Sequence, residues 1–177
     1  VGFAHRNENF AAIPYDPWEE KKEPTVDLAR QIEGGMKFFN NAKNPILKER
    51  YLDQLVRLYY FSKQYKEAVS FYTANTSLFT KESTMKWRTL EYVAGAHYKQ
   101  KEYATANYLF SQVFDNFEEH KRSAYLSFHP QENQDWEKSL TLAKSTHEKI
   151  VLWELLGIYS DPKRSIEAIY KLDPKAP

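Results

Sequence analysis

Apolar and polar positions follow one another along this chain with the period of α-helices, and one arrangement of them returns. Leu52, Leu55, Tyr59, Tyr65, Ala68 and Tyr72 make a first set. Leu90, Val93, His97, Tyr103, Ala106 and Phe110 make a second, 38 positions on (106 − 68). A third opens as Trp153-x-x-Leu156-Gly157 and closes on Leu172-Asp173-Pro174, after a wider gap of 63 (156 − 93). Apolar residues three and four apart share one side of a helix. A set that returns at this interval predicts helical hairpins stacked on one another.

Local signals place the elements. Val26, Leu28, Ile32, Met36 and Phe39 predict a first helix from Thr25 to Asn40-Asn41. Gly34-Gly35 weakens its middle, and a close helix crossing is the expected reason. Pro45 opens a second helix to Phe61; after a turn at Ser62-Lys63-Gln64 a third begins at Lys66. The second hairpin is expected to start after Ser83 or Thr84 and run to Lys99, then from about Glu102 to Phe117, with Ala94, Gly95, Ala96, Ala104 and Ala106 letting the helices approach. The stretch 119–144 holds two helix-like pieces, Tyr125/Leu126/Phe128 and Trp136/Leu140/Leu142/Ala143, parted by Pro130, and reads as a degenerate extra hairpin. Ser145-x-x-Glu148 is a capping box for the helix carrying Trp153, and Asp161-Pro162 starts a final short helix. Residues 1–24, with Gly2, Pro14, Pro17 and Pro24 among Phe3, Phe10, Tyr15 and Trp18, read as an irregular arm, either a disordered linker or, the reading we favour, an extended segment pinned to the helical body by its aromatics. The expected architecture is all-α, an α-solenoid of about nine helices over 25–177 behind that arm, with no sheet.

Composition narrows the function classes. Aromatic residues are 16% of the chain, too many at core spacing for a disordered segment. Lys and Arg number 25 against 24 Asp and Glu, interleaved as in 48–50 and 135–138, so no basic face recommends nucleic acid. Without cysteine, disulfides and thiolate metal sites are excluded. No run approaches the roughly 20 apolar residues of a membrane span. The chain opens on Val1 and closes on Asp-Pro-Lys-Ala-Pro, from which we expect a piece of a longer repeat protein.

The sets resemble the tetratricopeptide repeat over about 45–117 and 150–177. Trp153, Leu156, Gly157 and Pro174 match its pattern, as do Tyr65, Ala68 and Tyr72 and then Tyr103, Ala106 and Phe110. Val56 and Ala94 stand where the family has its small residue, and His97 where Tyr is usual. The resemblance implies a non-catalytic module that holds a protein or peptide on a concave face lined by the first helix of each hairpin. By register that face carries Arg50, Asp53, Arg57 and Tyr60, then Arg88, Glu91, Gly95, Tyr98 and Lys99, then Glu154 and Ile158. Arg57, Tyr60, Arg88, Glu91 and Tyr98 are the candidate partner-binding residues, because Tyr and Arg are common binding anchors. Asp53, Glu91 and Glu154 stand where some members grip a terminal carboxylate, and carboxylates repel it. The closing Leu-Asp-Pro phrase also resembles large repeat proteins of bacterial envelopes, which points to envelope or periplasm rather than cytoplasm.

Two alternatives stand beside the binding module. One is a structural brace within a larger repeat protein, in which apolar patches at the ends of the stack are covered. The other is the helical domain of an enzyme cutting cell-wall polysaccharide, with carboxylates such as Glu91 and Glu154 as its acid and base. His5, His97, His120, His129 and His147 form no HExxH and no pair within one helical turn, so neither metal nor cofactor is expected. His97 is expected in the core, the others at the surface.

Overall fold

Side-chain caps or prolines set the starts of four of the helices. The structure is a computed structural model that describes residues 27–80, 83–130 and 133–176; the arm expected over 1–24 lies outside them. These residues hold nine α-helices and no strand, so the chain is all-α. Helix α1 is Leu28–Asn41, with Asp27 accepting from the Arg30 N–H. Helix α2 is Pro45–Phe61, capped by Asn44, which accepts from the N–H groups of Ile46 and Leu47. Helix α3 is Tyr65–Asn75, one residue earlier than expected, and α4 and α5 are Thr84–Lys99 and Tyr103–Asn116. Then follow α6 (Lys121–Ser127), α7 (Asn133–Leu142), α8 (Thr146–Tyr159) and α9 (Pro162–Leu172).

The chain divides into two units, Val1–Lys81 and Glu82–Pro177. In the first, α2 packs on both α1 and α3. Its apolar side, Leu52, Leu55, Val56 and Leu58, is buried with Ile32 and Phe39 of α1 and Ala68 and Tyr72 of α3. Each buried Leu adds roughly 1.5–3 kcal/mol to that association. Phe71 meets Phe39 and Tyr59 with ring centroids 5.2 and 5.9 Å apart.

In the second unit α5 is the helix on which α4, α6, α7 and α8 all pack. Ala94, Ala106 and Phe110 join α4 to α5. Phe128, Trp136, Val151, Leu152, Leu155 and Leu156 form the larger cluster, against Tyr108 and Phe114 of α5. The extra hairpin expected over 119–144 does not pair with itself: α6 and α7 each pack on α5. Helix α6 is only two turns long and buries Ala124, and its exit turns Phe128 fully inward.

The internal repeat is visible in the backbone. Lys63 and Lys101, 38 positions apart (101 − 63), are the only described non-glycine residues at positive φ, 61° and 65°. Each ends a first hairpin helix with the same pair of bonds. Gln64 N–H donates to Tyr59 C=O and Lys63 N–H to Tyr60 C=O; Glu102 N–H donates to His97 C=O and Lys101 N–H to Tyr98 C=O. This is the left-handed helix stop that closes orphan carbonyls. Tyr60 meets Tyr65, and Tyr98 meets Tyr103, in the same edge-on fashion at 5.6 and 5.1 Å.

The glycines divide. A Cβ on Gly34 would meet nothing within 4 Å, so of the Gly34-Gly35 pair it is not Gly34 that a close crossing requires, while Gly35 beside it is buried. A Cβ on Gly157 would lie 3.0 Å from the Ser165 Cβ, so it is at Gly157 that α9 comes close to α8.

Candidate functional site

The residues expected to bind a partner are largely engaged within the protein. Arg57, expected on an open face, is only 6% exposed. Its guanidinium lies 5.8 Å from the centroid of Phe61, one turn on, and its Nε is buried without an acceptor. Helix α2 turns this flank inward along its length, since Glu49 and Asp53 are buried as well. Glu49 there accepts from the Thr80 N–H at 3.0 Å. Tyr60, beside Arg57, is half-buried between Phe61 and Tyr65. On α4, Arg88, Glu91 and Tyr98 are half-buried too, and Tyr98 packs against the Ala94/Ala106/Phe110 cluster.

Glu91 has both carboxylate oxygens taken. Ser123 Oγ donates to Oε1 at 2.5 Å, while His120 Nδ1 meets Oε2. His120 also stacks on Phe117 at 4.7 Å. A serine, a histidine and a carboxylate therefore meet, but not as a nucleophile with its base. Nucleophilic activation requires the hydroxyl to face an imidazole nitrogen, whereas here Ser123 bonds the carboxylate and the His120 carbonyl. The cluster ties α4 to the start of α6. His147 and His97 play similar tying roles, to Asp115 at 2.9 Å and Glu102 at 2.5 Å. His97 is half-buried beside the turn, rather than fully in the core. Among the described residues no three His, Asp or Glu side chains gather as a metal site would require.

The two most exposed large apolar side chains among the described residues lie on the α8–α9 hairpin, while Ile46 and Leu47 of α2 and Leu126 of α6 are exposed as well. The serine half of the expected capping box forms, Glu148 N–H donating to Ser145 Oγ at 3.2 Å, while the glutamate reaches one residue further back than the box prescribes. The Glu148 carboxylate accepts from the Lys144 N–H at 2.7 Å and from the Tyr108 hydroxyl at 3.1 Å. Burial first, and this carboxylate second, push the Tyr108 phenol up to about 12. Asp161 caps α9 through the Arg164 N–H. With both starts fixed, α9 runs back along α8 with Ser165 against Gly157. Ser165 is the one fully covered residue of α9. Ile166 and Tyr170, one turn apart, are 67% and 66% exposed, and Ile158 of α8 is 59% exposed.

On the same hairpin lies a shallow groove of about 400 Å³. Leu140 of α7, Trp153 of α8 and Ala168 and Leu172 of α9 make its floor, and Lys149 and Lys171 border it. Trp153 is held edge-on by Trp136 at 4.9 Å and covered by the Arg164 guanidinium at 5.3 Å. Neither lysine joins an ion pair among the described residues. The sequence signal for this surface was the apolar breadth of Ile166, Ile169, Tyr170 and Leu172, which exceeds what one neighbouring helix covers. Compared with protein-family models, curated proteins and solved structures, the chain matches none.

Proposed function

We propose that this chain is a non-catalytic protein-interaction module built of tetratricopeptide-like helical hairpins, and that its contact surface is the α8–α9 hairpin. The observation that carries this reading is the exposure of Ile158, Ile166 and Tyr170 on well-capped helices. Apolar side chains that adjoin on a rigid element, as Ile166 and Tyr170 do one turn apart, mark a surface that another protein covers more than scattered ones do. The first-helix strip supports it less, because Arg57 is buried and Glu91 is committed to His120 and Ser123.

The test is proximity labelling from the protein in cells that express it, comparing the parent with Ile158→Glu/Ile166→Glu/Tyr170→Glu. These side chains are exposed, so the substitutions leave the fold in place. The expected result is a defined set of labelled proteins that the variant loses. An unchanged set, or none above background, overturns the reading. The structural brace is the second reading, and the same exposed residues favour it: a further helical hairpin of a larger protein then covers Ile166 and Tyr170. In that case the labelled set collapses to one constant companion.

A further inference from the structure

We infer that the groove between α7, α8 and α9 receives an acidic peptide segment of a partner protein, which lays an apolar side chain over Trp153 between Lys149 and Lys171. The inference rests on the reading that this hairpin serves protein contact, and it names the chemistry of what is held. Four features of the groove lead to it. Its floor is apolar, from Leu140, Trp153, Ala168 and Leu172. Its border carries two ammonium groups free of ion pairs among the described residues, and no carboxylate lines it. Its volume, about 400 Å³, lies near the lower end of ligand sites, which run from roughly 300 to 1,000 Å³. It is thus suited to one or two side chains rather than a folded face. Finally, its Trp153 ring is held by the edge-on contact with Trp136 and by the Arg164 guanidinium, so little ordering remains to be done on binding.

Charge decides among occupants. A basic segment meets Lys149, Lys171 and Arg164 as like charges, which costs affinity and slows encounter. An acidic segment with an apolar residue between its carboxylates satisfies border and floor together. Lysine ammonium groups are rotatable point charges rather than planar forks, so they accept carboxylates at varied angles and suit a peptide of loose sequence.

The experiment uses the full chain and three probes: a fluorescent peptide of alternating Glu and Leu, its Lys–Leu counterpart, and octanoate as a free apolar anion. Binding is read by anisotropy and by the indole NMR signal that Trp153→Phe removes. The Glu–Leu peptide is expected to bind at least about tenfold more tightly than Lys–Leu and to shift the Trp153 signal. Lys149→Glu/Lys171→Glu should reverse that preference, and the milder Lys149→Gln/Lys171→Gln should abolish it. Circular dichroism of both variants confirms that the helices persist. An unchanged preference in both variants, no shift at Trp153, or octanoate shifting Trp153 where the peptide does not, overturns the inference. Loss of the inference alone leaves the labelling result at Ile158, Ile166 and Tyr170 intact; loss of the interaction reading removes that result as well.

Discussion

The two glycines that the structure separates should respond to alanine with opposite signs. Gly34 lies in the middle of α1, and an added methyl there meets nothing within 4 Å. Gly34→Ala therefore keeps only the gain in helix propensity, about 1 kcal/mol, which arises mainly from the smaller freedom of the unfolded chain. Gly157 lies in the last turn of α8, where an added methyl would be 3.0 Å from the Ser165 Cβ, 3.2 Å from its Oγ and 3.7 Å from the Pro162 Cα. Carbon atoms sit comfortably at about 3.5–4.0 Å. The shortfall falls on a Cβ bonded directly to the backbone of α9, so the helix itself must move. Overpacking of this kind costs about 1–3 kcal/mol, against which at most about 1 kcal/mol of propensity is regained.

The assay is urea unfolding followed by circular dichroism, with the tryptophan emission of Trp87, Trp136 and Trp153 reporting on the second unit. Gly34→Ala should raise stability by about 0.5–1 kcal/mol; Gly157→Ala should lower it by up to about 2 kcal/mol. A double-mutant cycle isolates the cause. In a Ser165→Gly background both close contacts vanish, so Gly157→Ala should lose most of its cost, a coupling of about 1 kcal/mol or more. In a Ser165→Ala background the 3.0 Å contact persists and so should the cost. Stabilisation by Gly157→Ala equal to that of Gly34→Ala would mean that α9 shifts freely, and the close-approach argument would fail.

Three further outcomes follow from the packing and the caps. Ala106→Trp forces an indole into the fully buried contact of α4 with α5 and should cost more than 3 kcal/mol or unfold the second unit; an unfolding midpoint equal to the parent's would show the hairpin register to be wrong. Ser145→Ala should cost about 1 kcal/mol, and Glu148→Ala about 1–2 kcal/mol because it takes the acceptor from the half-buried Tyr108 hydroxyl and a bond from the exposed Lys144 N–H; equal thermal midpoints for Glu148→Ala and parent would sink this. Burial pushes the Tyr72 phenol up to about 12 from 10.0, so the folded state keeps a proton that the unfolded state sheds in between. Its contribution is complete below pH 10.0 and is lost as pH rises towards about 12, at most about 2–3 kcal/mol. Tyr72→Phe should therefore flatten the alkaline fall in urea stability, and identical slopes would refute the assignment.

Much of the fold was legible because its signals are local. Asn44 before Pro45, Asp161 before Pro162 and the Ser145/Glu148 pair each fix a helix start with atoms no more than four residues away. The repeat was legible because Lys63 and Lys101 end two helices in the same left-handed turn, and the flanking tyrosines return with it. The site was less so. Glu91 looks like an outward carboxylate on α4, yet its partners His120 and Ser123 are 29 and 32 positions away, beyond any helical pattern. Arg57 failed for a related reason: a flank of α2 carrying Glu49, Asp53 and Arg57 reads as solvated charge, and only the folded chain shows it buried. At Gly34-Gly35 the pattern did not tell the two apart: Gly34 faces open space, whereas Gly35 is buried.

The second helices of the hairpins differ in how much of their apolar surface the fold covers. In α3 the small and aromatic positions of the repeat, Ala68 and Tyr72, are buried; in α5 so are Ala106, Phe110 and Val113. In α9 the corresponding apolar breadth is present, but only Ser165 is covered. Tyr170 alone therefore leaves roughly 100–150 Å² of ring in water, and covering it is worth about 3 kcal/mol at 25 cal/mol per Å². Nothing in the capping of α9 requires Ile166 or Tyr170 to be apolar, since Asp161 and Pro162 start the helix and Ser165 seats it on Gly157. Polar residues at those two positions would serve the isolated hairpin equally well. The stability of the unit that carries them does not account for their apolar character; the proposed association would.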